Sequence, residues 1–311
     1  MVKQRTLKTA VQAVGIGLHT GESVELSILP ASADTGIMFR RVDLEPNVLI
    51  PAHAKNVGET HLCTSISQDG ATVGTIEHLM SAFAGLGIDN AIVEVNAPEL
   101  PIMDGSSAPF VFLLQSAGIQ TLAKAKRYIR IKKKIEVKSG DKFARLLPFQ
   151  GFKVKFAIDF KHPVFIGRPQ QAEVNFTETS YVDAICRART FGFLADYEAL
   201  RQANLAKGGS LDNAVVVDDY RVLNQEGLRF DDEFVKHKIL DAVGDLFLLG
   251  SGLIGAFEGY KSGHELNNQL LLKLLASPEA WEYTSFNEAK TNSMPFLPFV
   301  LPGVAEEIHV F

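Results

Sequence analysis

Only two cysteines, Cys63 and Cys186, occur in the chain, and no CxxC pair is present. A disulfide framework is therefore not expected, and a reducing cytoplasm fits best. No apolar run reaches the ~18–20 residues of a transmembrane helix. The first eight residues, Met1 to Lys8, are too polar for a signal peptide. Basic tracts with interleaved aromatics are also missing, and the formal net charge is -5. Nucleic acid is thus not expected as a main partner. The nearest basic run, Lys124 to Lys134, reads as a linker (Lys124–Arg127) leading into a solvent-facing strand. The HExxH signature of common metalloproteases is absent.

What is present is globular. Hydrophobic residues make up 46% and charged residues 22%, so disorder is not the default. A chain of 311 residues suits one large domain or two of roughly 150. Strands are expected at residues 7–14, 23–29, 36–41 and 91–95. Helices are expected at 75–86, stopping at Gly85-Leu-Gly87, and at 108–116, ending at Gly118. Beyond the linker, strands are expected at 128–137, 143–147, 152–160, 214–217 and 253–257. Helices are expected at 181–187, 194–204, 232–249 and 266–275, before a Pro-rich, irregular tail after Trp281. The order hints at a repeat. His78 and His237 each stand near a helix start, followed by the helix, a glycine break and an apolar strand. Such a duplication implies α+β halves with sheet packed on helices and a site where paired helices meet.

Phe234 to Asp245 is the most informative segment. With ~3.6 residues per turn, His237, Asp241 and Asp245 share one helix face, with Lys238 beside them. His237 and Asp241, at i and i+4, can hold one zinc-type ion. A third ligand must come from elsewhere, and His78 is the best candidate because Glu77 precedes it. A carboxylate beside a metal site can take the proton of an attacking water. His264, in a strand-to-helix turn, can stabilise an oxyanion or protonate a leaving amine, and Asp245 can raise its pKa. Spacing alone does not decide this, since His-x-x-x-Asp is common and a lone helical histidine is more often structural. Gly15-Ile-Gly17-Leu-His19-Thr20-Gly21 reads as a hairpin turn rather than a phosphate loop, because a strand follows it. Met103-Asp104-Gly105-Ser106 reads as a turn before a helix.

Several long motifs carry a family resemblance. They are Gly17-Leu-His-Thr-Gly21, Thr75-Ile-Glu-His78, Ala84-Gly-Leu-Gly-Ile-Asp-Asn90, Pro101-Ile-Met-Asp-Gly-Ser106, Ala188-Arg-Thr-Phe-Gly-Phe193, Val216-Val-Asp-Asp-Tyr-Arg221, Gly227-Leu-Arg-Phe230, His237-Lys-Ile-Leu-Asp241 and Lys261-Ser-Gly-His264. Through them the chain, from about residue 3 to about 286, resembles the UDP-3-O-acyl-N-acetylglucosamine deacetylases, metal-dependent amidases of lipid A synthesis in Gram-negative bacteria. Chance matching at all of these motifs is negligible.

The resemblance implies two α+β domains of duplicated topology, here 1–123 and 128–286 with a tail at 287–311, and an active site between them. It implies zinc on His78, His237 and Asp241, with ferrous iron also able to serve. Glu77 would be the general base, His264 the general acid held by Asp245, and Thr190 the oxyanion donor. Lys238 and Lys261 would meet substrate phosphate or sugar oxygens. Phe160 would stack on uracil, with Asp159 near the same base and Lys142 near the nucleotide. Phe191, Phe193, Leu200, Ala206, Gly209, Leu211 and Val216 would line an acyl-chain passage. The implied partner is a UDP-linked acylated glucosamine, and a cytoplasmic monomer is expected. One departure is His61, which stands where the family pattern has an apolar residue. Two other readings remain open on the residues alone: a two-metal phosphoesterase, and a binding protein whose structural metal takes His61 or Cys63 as a fourth ligand.

Overall fold

Two strands, each following a buried helix, organise the protein. The computed structural model describes residues 1–176 and 180–286; the tail assigned to 287–311 lies outside the described residues. Helix α1 (Glu77–Leu86) leads into Ala91–Val95, and α2 (Ala108–Ser116) follows. Ala91–Val95 runs antiparallel to Ser23–Pro30 and parallel to Ile37–Arg41. Those neighbours pair outward with Val11–Ile16 and Val48–Pro51, completing a five-stranded sheet.

The second half repeats this scheme. Gly252–Tyr260 is antiparallel to Lys142–Leu147 and parallel to Phe152–Ala157. These pair outward with Ile135–Ser139 and Gln171–Asn175. Helix α5 (Glu233–Phe247) precedes the central strand and α6 (His264–Leu275) follows it. The class is α+β, as expected, and the repeat around His78 and His237 is a repeat of topology. Between Gln171–Asn175 and α5 the second half carries an insert. It contains α3 (Tyr181–Ala184), Phe191–Phe193, α4 (Leu194–Gln202) and Val215–Val217.

Helices α1 and α5 pack against each other. In α5 every residue except Lys236 and Lys238 is buried, and in α1 every residue from Glu77 to Ala84 is buried. Such helices are core elements on all sides. Their polar residues are therefore deep in the protein, where each needs a partner or a ligand. The contact is close at Gly244, where a Cβ would collide with the Glu77 carbonyl oxygen.

Local expectations failed where pairing is distant in sequence. Lys124 and Ala125 are not linker. They end the strand Ile119–Ala125, which pairs with Lys3–Leu7. Lys126 is buried and bonded to Asp89 at 2.9 Å. The strand expected over 128–137 is two, Tyr128–Ile131 and Ile135–Ser139, parted at Lys132–Lys134. Tyr128 and Ile129 are buried rather than solvent-facing. Residues 7–14 likewise divide between Lys3–Leu7 and Val11–Ile16, and the helix expected over 181–187 is the single turn of α3. Past Trp281 the chain is still a strand, Trp281–Thr284, paired with Tyr128–Ile131.

Candidate active site

Helix α5 supplies His237 and Asp241 one turn apart, and α1 brings His78 to them. His237 Nδ1 is 3.1 Å from the Ala188 carbonyl oxygen, so that nitrogen carries the proton and donates. Nε2 is then left as a lone pair, 3.3 Å from Asp241 Oδ1. His78 Nε2 approaches the same oxygen at 3.6 Å. The candidate ligand atoms of all three residues lie within 4.8 Å of one another. Asp241 Oδ1 is buried without a hydrogen-bond partner.

Electrostatics suit a cation here. Burial, more than the neighbouring charges, pushes the His237 imidazole down to about 3, so it is neutral and able to ligate. Burial alone would raise the Asp241 carboxyl, but the positive charge of Lys238, bonded to its other oxygen, helps hold it well below the usual range. Two imidazoles and a carboxylate form a donor set of catalytic zinc sites. The residues present therefore fit a divalent ion.

Glu77 and His264 face each other beside this cluster, with Oε1 and Nε2 3.8 Å apart. Burial raises the Glu77 carboxyl, against the pull of His264 and His78. His264 opens α6. Burial opposes its charge, but Asp245 and Glu77 outweigh that and push it up to about 9. It is an imidazolium at neutral pH. Its Nδ1 lies 2.9 Å from Asp245 Oδ2. Asp245 also accepts from Asn267 Nδ2 at 2.8 Å and from Thr64 Oγ1 at 2.6 Å.

Thr190 reaches the site from the insert. Its N–H donates to the Gly105 carbonyl at 2.8 Å, and its own carbonyl accepts from Val215 at the same distance. Gly105, in the turn before α2, has φ 82°, and a Cβ there would strike the Asn213 carbonyl. Only glycine meets both demands. The preceding residue, Arg189, is buried and donates to Glu233 at the start of α5, with Nε–Oε1 at 2.9 Å. This pair clamps the Thr190 segment to α5.

A family model described as UDP-3-O-acyl N-acetylglycosamine deacetylase (LpxC) matches residues 4–276. The chain belongs to that family. Relatives named UDP-3-O-acyl-N-acetylglucosamine deacetylase include one from Legionella pneumophila (strain Corby), 61% identical over 302 residues, covering 97% of this chain and 98% of the relative. Another, from Marinobacter nauticus, is 60% identical over 97% of this chain and 99% of its own length. A third, from Nitrosococcus oceani, is 60% identical over 94% and 96%.

Other positions singled out by the deacetylase resemblance fall in two groups. A cleft of about 400 Å³ opens from the cluster and is lined by Thr190, Phe191, Lys238, His264, Lys142 and Lys261, among others. Lys238 Nζ bonds Asp241 Oδ2 at 2.8 Å and sits over the Phe191 ring. Lys261 bonds Asp141 at 2.6 Å and lies 3.9 Å from Asp159. The remaining candidates do not line the cleft. Phe160 stacks on Phe165, centroids 5.0 Å apart, beside Phe193. Leu200 and Val216 are half-buried, as is Gly209; Ala206 is buried and Leu211 is 45% exposed. The insert instead rests on the Gly17–Gly21 segment, with Gly208 donating to Leu18 at 3.0 Å. That segment is the hairpin turn expected, held by Glu99, which accepts from His19 and Thr20 N–H groups and from Thr75 Oγ1.

A fourth protein ligand finds little support. His61 is exposed and stands outside the one candidate metal cluster found among the described residues. Burial, and Glu77 after it, push the Cys63 thiol up to about 12, against a ready thiolate. Sequence reasoning missed Thr64, Asn267, Glu99, Arg189 and Glu233. The last pair carried a signal, opposite charges flanking the Thr190 segment and an apolar helix, but nothing set their partnership.

Proposed function

We propose that the protein hydrolyses the N-acetyl group of a UDP-linked, 3-O-acylated N-acetylglucosamine, releasing acetate and the free amine, with zinc held by His78, His237 and Asp241. The observation that carries this reading is the opposed pair beside the cluster, a buried carboxylate and an imidazolium 3.8 Å apart. Environments that set two titratable groups apart in this way mark a base and an acid.

The ion would supply Lewis-acid polarisation of the acetamide carbonyl and lower the pKa of water. Ferrous iron suits the same imidazole and carboxylate donors. Glu77 takes a proton from the attacking water. The Thr190 hydroxyl donates to the oxygen on which charge develops. As the C–N bond breaks, His264 passes its Nε2 proton to the amine, since an amide anion is a very poor leaving group. Asp245 keeps His264 oriented, and charged until that transfer.

Substrate recognition divides along the cleft. Lys142 and Lys261 meet the diphosphate, and Lys238 meets sugar oxygens. Phe160, packed against Phe191, and Asp159, beside Lys261, receive the uracil. Phe191 and Phe193 begin an acyl path, which Leu200, Ala206, Gly209, Leu211 and Val216 continue along the insert. We place the protein in the cytoplasm, in keeping with free Cys63 and Cys186. No described helix is long and apolar enough to cross a membrane.

Acetate release from the acylated UDP-sugar tests the reading. Chelation should abolish it and added zinc restore it, and Glu77→Ala and His264→Ala should each lose most turnover while keeping the metal. Phosphate release without acetate would replace this reading with a phosphoesterase.

A further inference from the structure

Thr64 touches both members of the acid–base pair's support. It lies in the loop before Ile66–Gln68 and is 2% exposed. Two backbone bonds pin it to the start of α1. Its N–H donates to Glu77 Oε2 at 3.0 Å, and its carbonyl accepts from Ile76 N–H at 3.2 Å. The side chain leaves that attachment and crosses to the other half, where Oγ1 donates to Asp245 Oδ1 at 2.6 Å. Asp245 Oδ2 already accepts from His264 Nδ1 and Asn267 Nδ2. The Thr64 hydroxyl therefore holds the oxygen that the His264 side leaves over. Two ends held from opposite directions set the plane of a carboxylate, and that plane sets the ring bonded to it.

We propose that Thr64 is a positioning residue: by anchoring Asp245 to the segment that also holds Glu77, it keeps His264 Nε2 in register with the base across the two halves. This rests on the acid and base roles argued above. Glu77 and His264 come from helices far apart in the chain, so their separation depends on how the halves seat. A single residue bonded to both sides makes that separation local. The geometry also distinguishes the hydroxyl from the rest of the residue. Valine keeps the shape and both backbone bonds and removes only the Asp245 donor, whereas serine keeps the donor.

The test compares Thr64→Val with Thr64→Ser in the metal-loaded enzyme, using acetate release, metal content and the Nδ1–H proton resonance of His264 in ¹⁵N-histidine-labelled protein. An unsatisfied buried acceptor should lower kcat of Thr64→Val about 10- to 100-fold. KM should stay within about twofold and metal content be unchanged, with Thr64→Ser within about threefold of the parent. The His264 resonance should move in Thr64→Val and stay in Thr64→Ser. Parental kcat in Thr64→Val, equal loss in both variants, or a change in KM alone would overturn the proposal. Absence of acetate release from the parent enzyme would instead sink the reading of the reaction. The ring resonance then still decides Thr64, since an unmoved signal in Thr64→Val removes its hold on His264.

Discussion

His264 Nδ1 lies 2.9 Å from Asp245 Oδ2, and this pairing makes a buried imidazole a cation. Burial alone would lower its pKa; Asp245 and Glu77 lift it to about 9. An acid works only while protonated, so activity should fall as pH rises through about 9. Glu77 works only while ionised, and its carboxyl is raised. The acid limb should therefore lie above the usual carboxylate range. The dependence of kcat/KM on pH should be a bell. Asp245→Asn should bring the alkaline limb down toward the ordinary imidazole value of ~6.5. An unmoved limb would remove Asp245 from this role.

Gly244 makes a second point about seating. A Cβ there meets the Glu77 carbonyl oxygen, carbonyl carbon and Cα, all rigid backbone. Gly244→Ala should force α1 and α5 apart, costing about 1–3 kcal/mol of stability. Because Glu77 rides on the displaced segment, kcat should fall as well. Denaturant unfolding alongside acetate release checks both, and a variant with parental stability would contradict the close crossing.

Thr190 should matter to turnover and not to metal. Thr190→Val removes the hydroxyl offered to the oxyanion and should lower kcat by about 10²–10³. Thr190→Ser should recover most of it, with the same metal content in all three proteins. Equal activity of the valine variant would assign the hydroxyl no part in the chemistry.

Arg189 and Glu233 are 3% and 0% exposed at their side chains. Breaking a buried ion pair from one side leaves the other charge stranded. Arg189→Ala should lose about 3–5 kcal/mol in urea unfolding. A loss under ~1 kcal/mol, the range of an exposed pair, would show that the clamp is not buried in solution.

The legible parts of the site were those with local spacing. Helical periodicity puts His237, Asp241 and Asp245 on one face with Lys238 beside them, and the contacts of His237 and Lys238 with Asp241 agree. His78 reads as the best candidate third ligand, with the Glu77 carboxylate beside it, though nothing in spacing brings α1 to α5. Thr64 had no signal: its bond to Asp245 spans 181 positions. The basic run at Lys124 misled for the same reason. Its charge pattern reads as solvent-exposed, but pairing of Ile119–Ala125 with Lys3–Leu7 and the buried Lys126–Asp89 bond depend on the distant N-terminus and on the turn after α1. In the fold, the duplicated scheme was visible only as two histidine-helix-strand echoes. Parallel pairing of each central strand with an earlier hairpin leaves no mark in local periodicity.

The central claim is that His78, His237 and Asp241 hold the ion on which deacetylation depends. Bound metal and acetate release, measured together on the parent enzyme and on His237→Ala, test it most directly. The parent should hold one ion per chain and release acetate, and His237→Ala should lose both. Retained metal and retained activity in that variant would contradict the account.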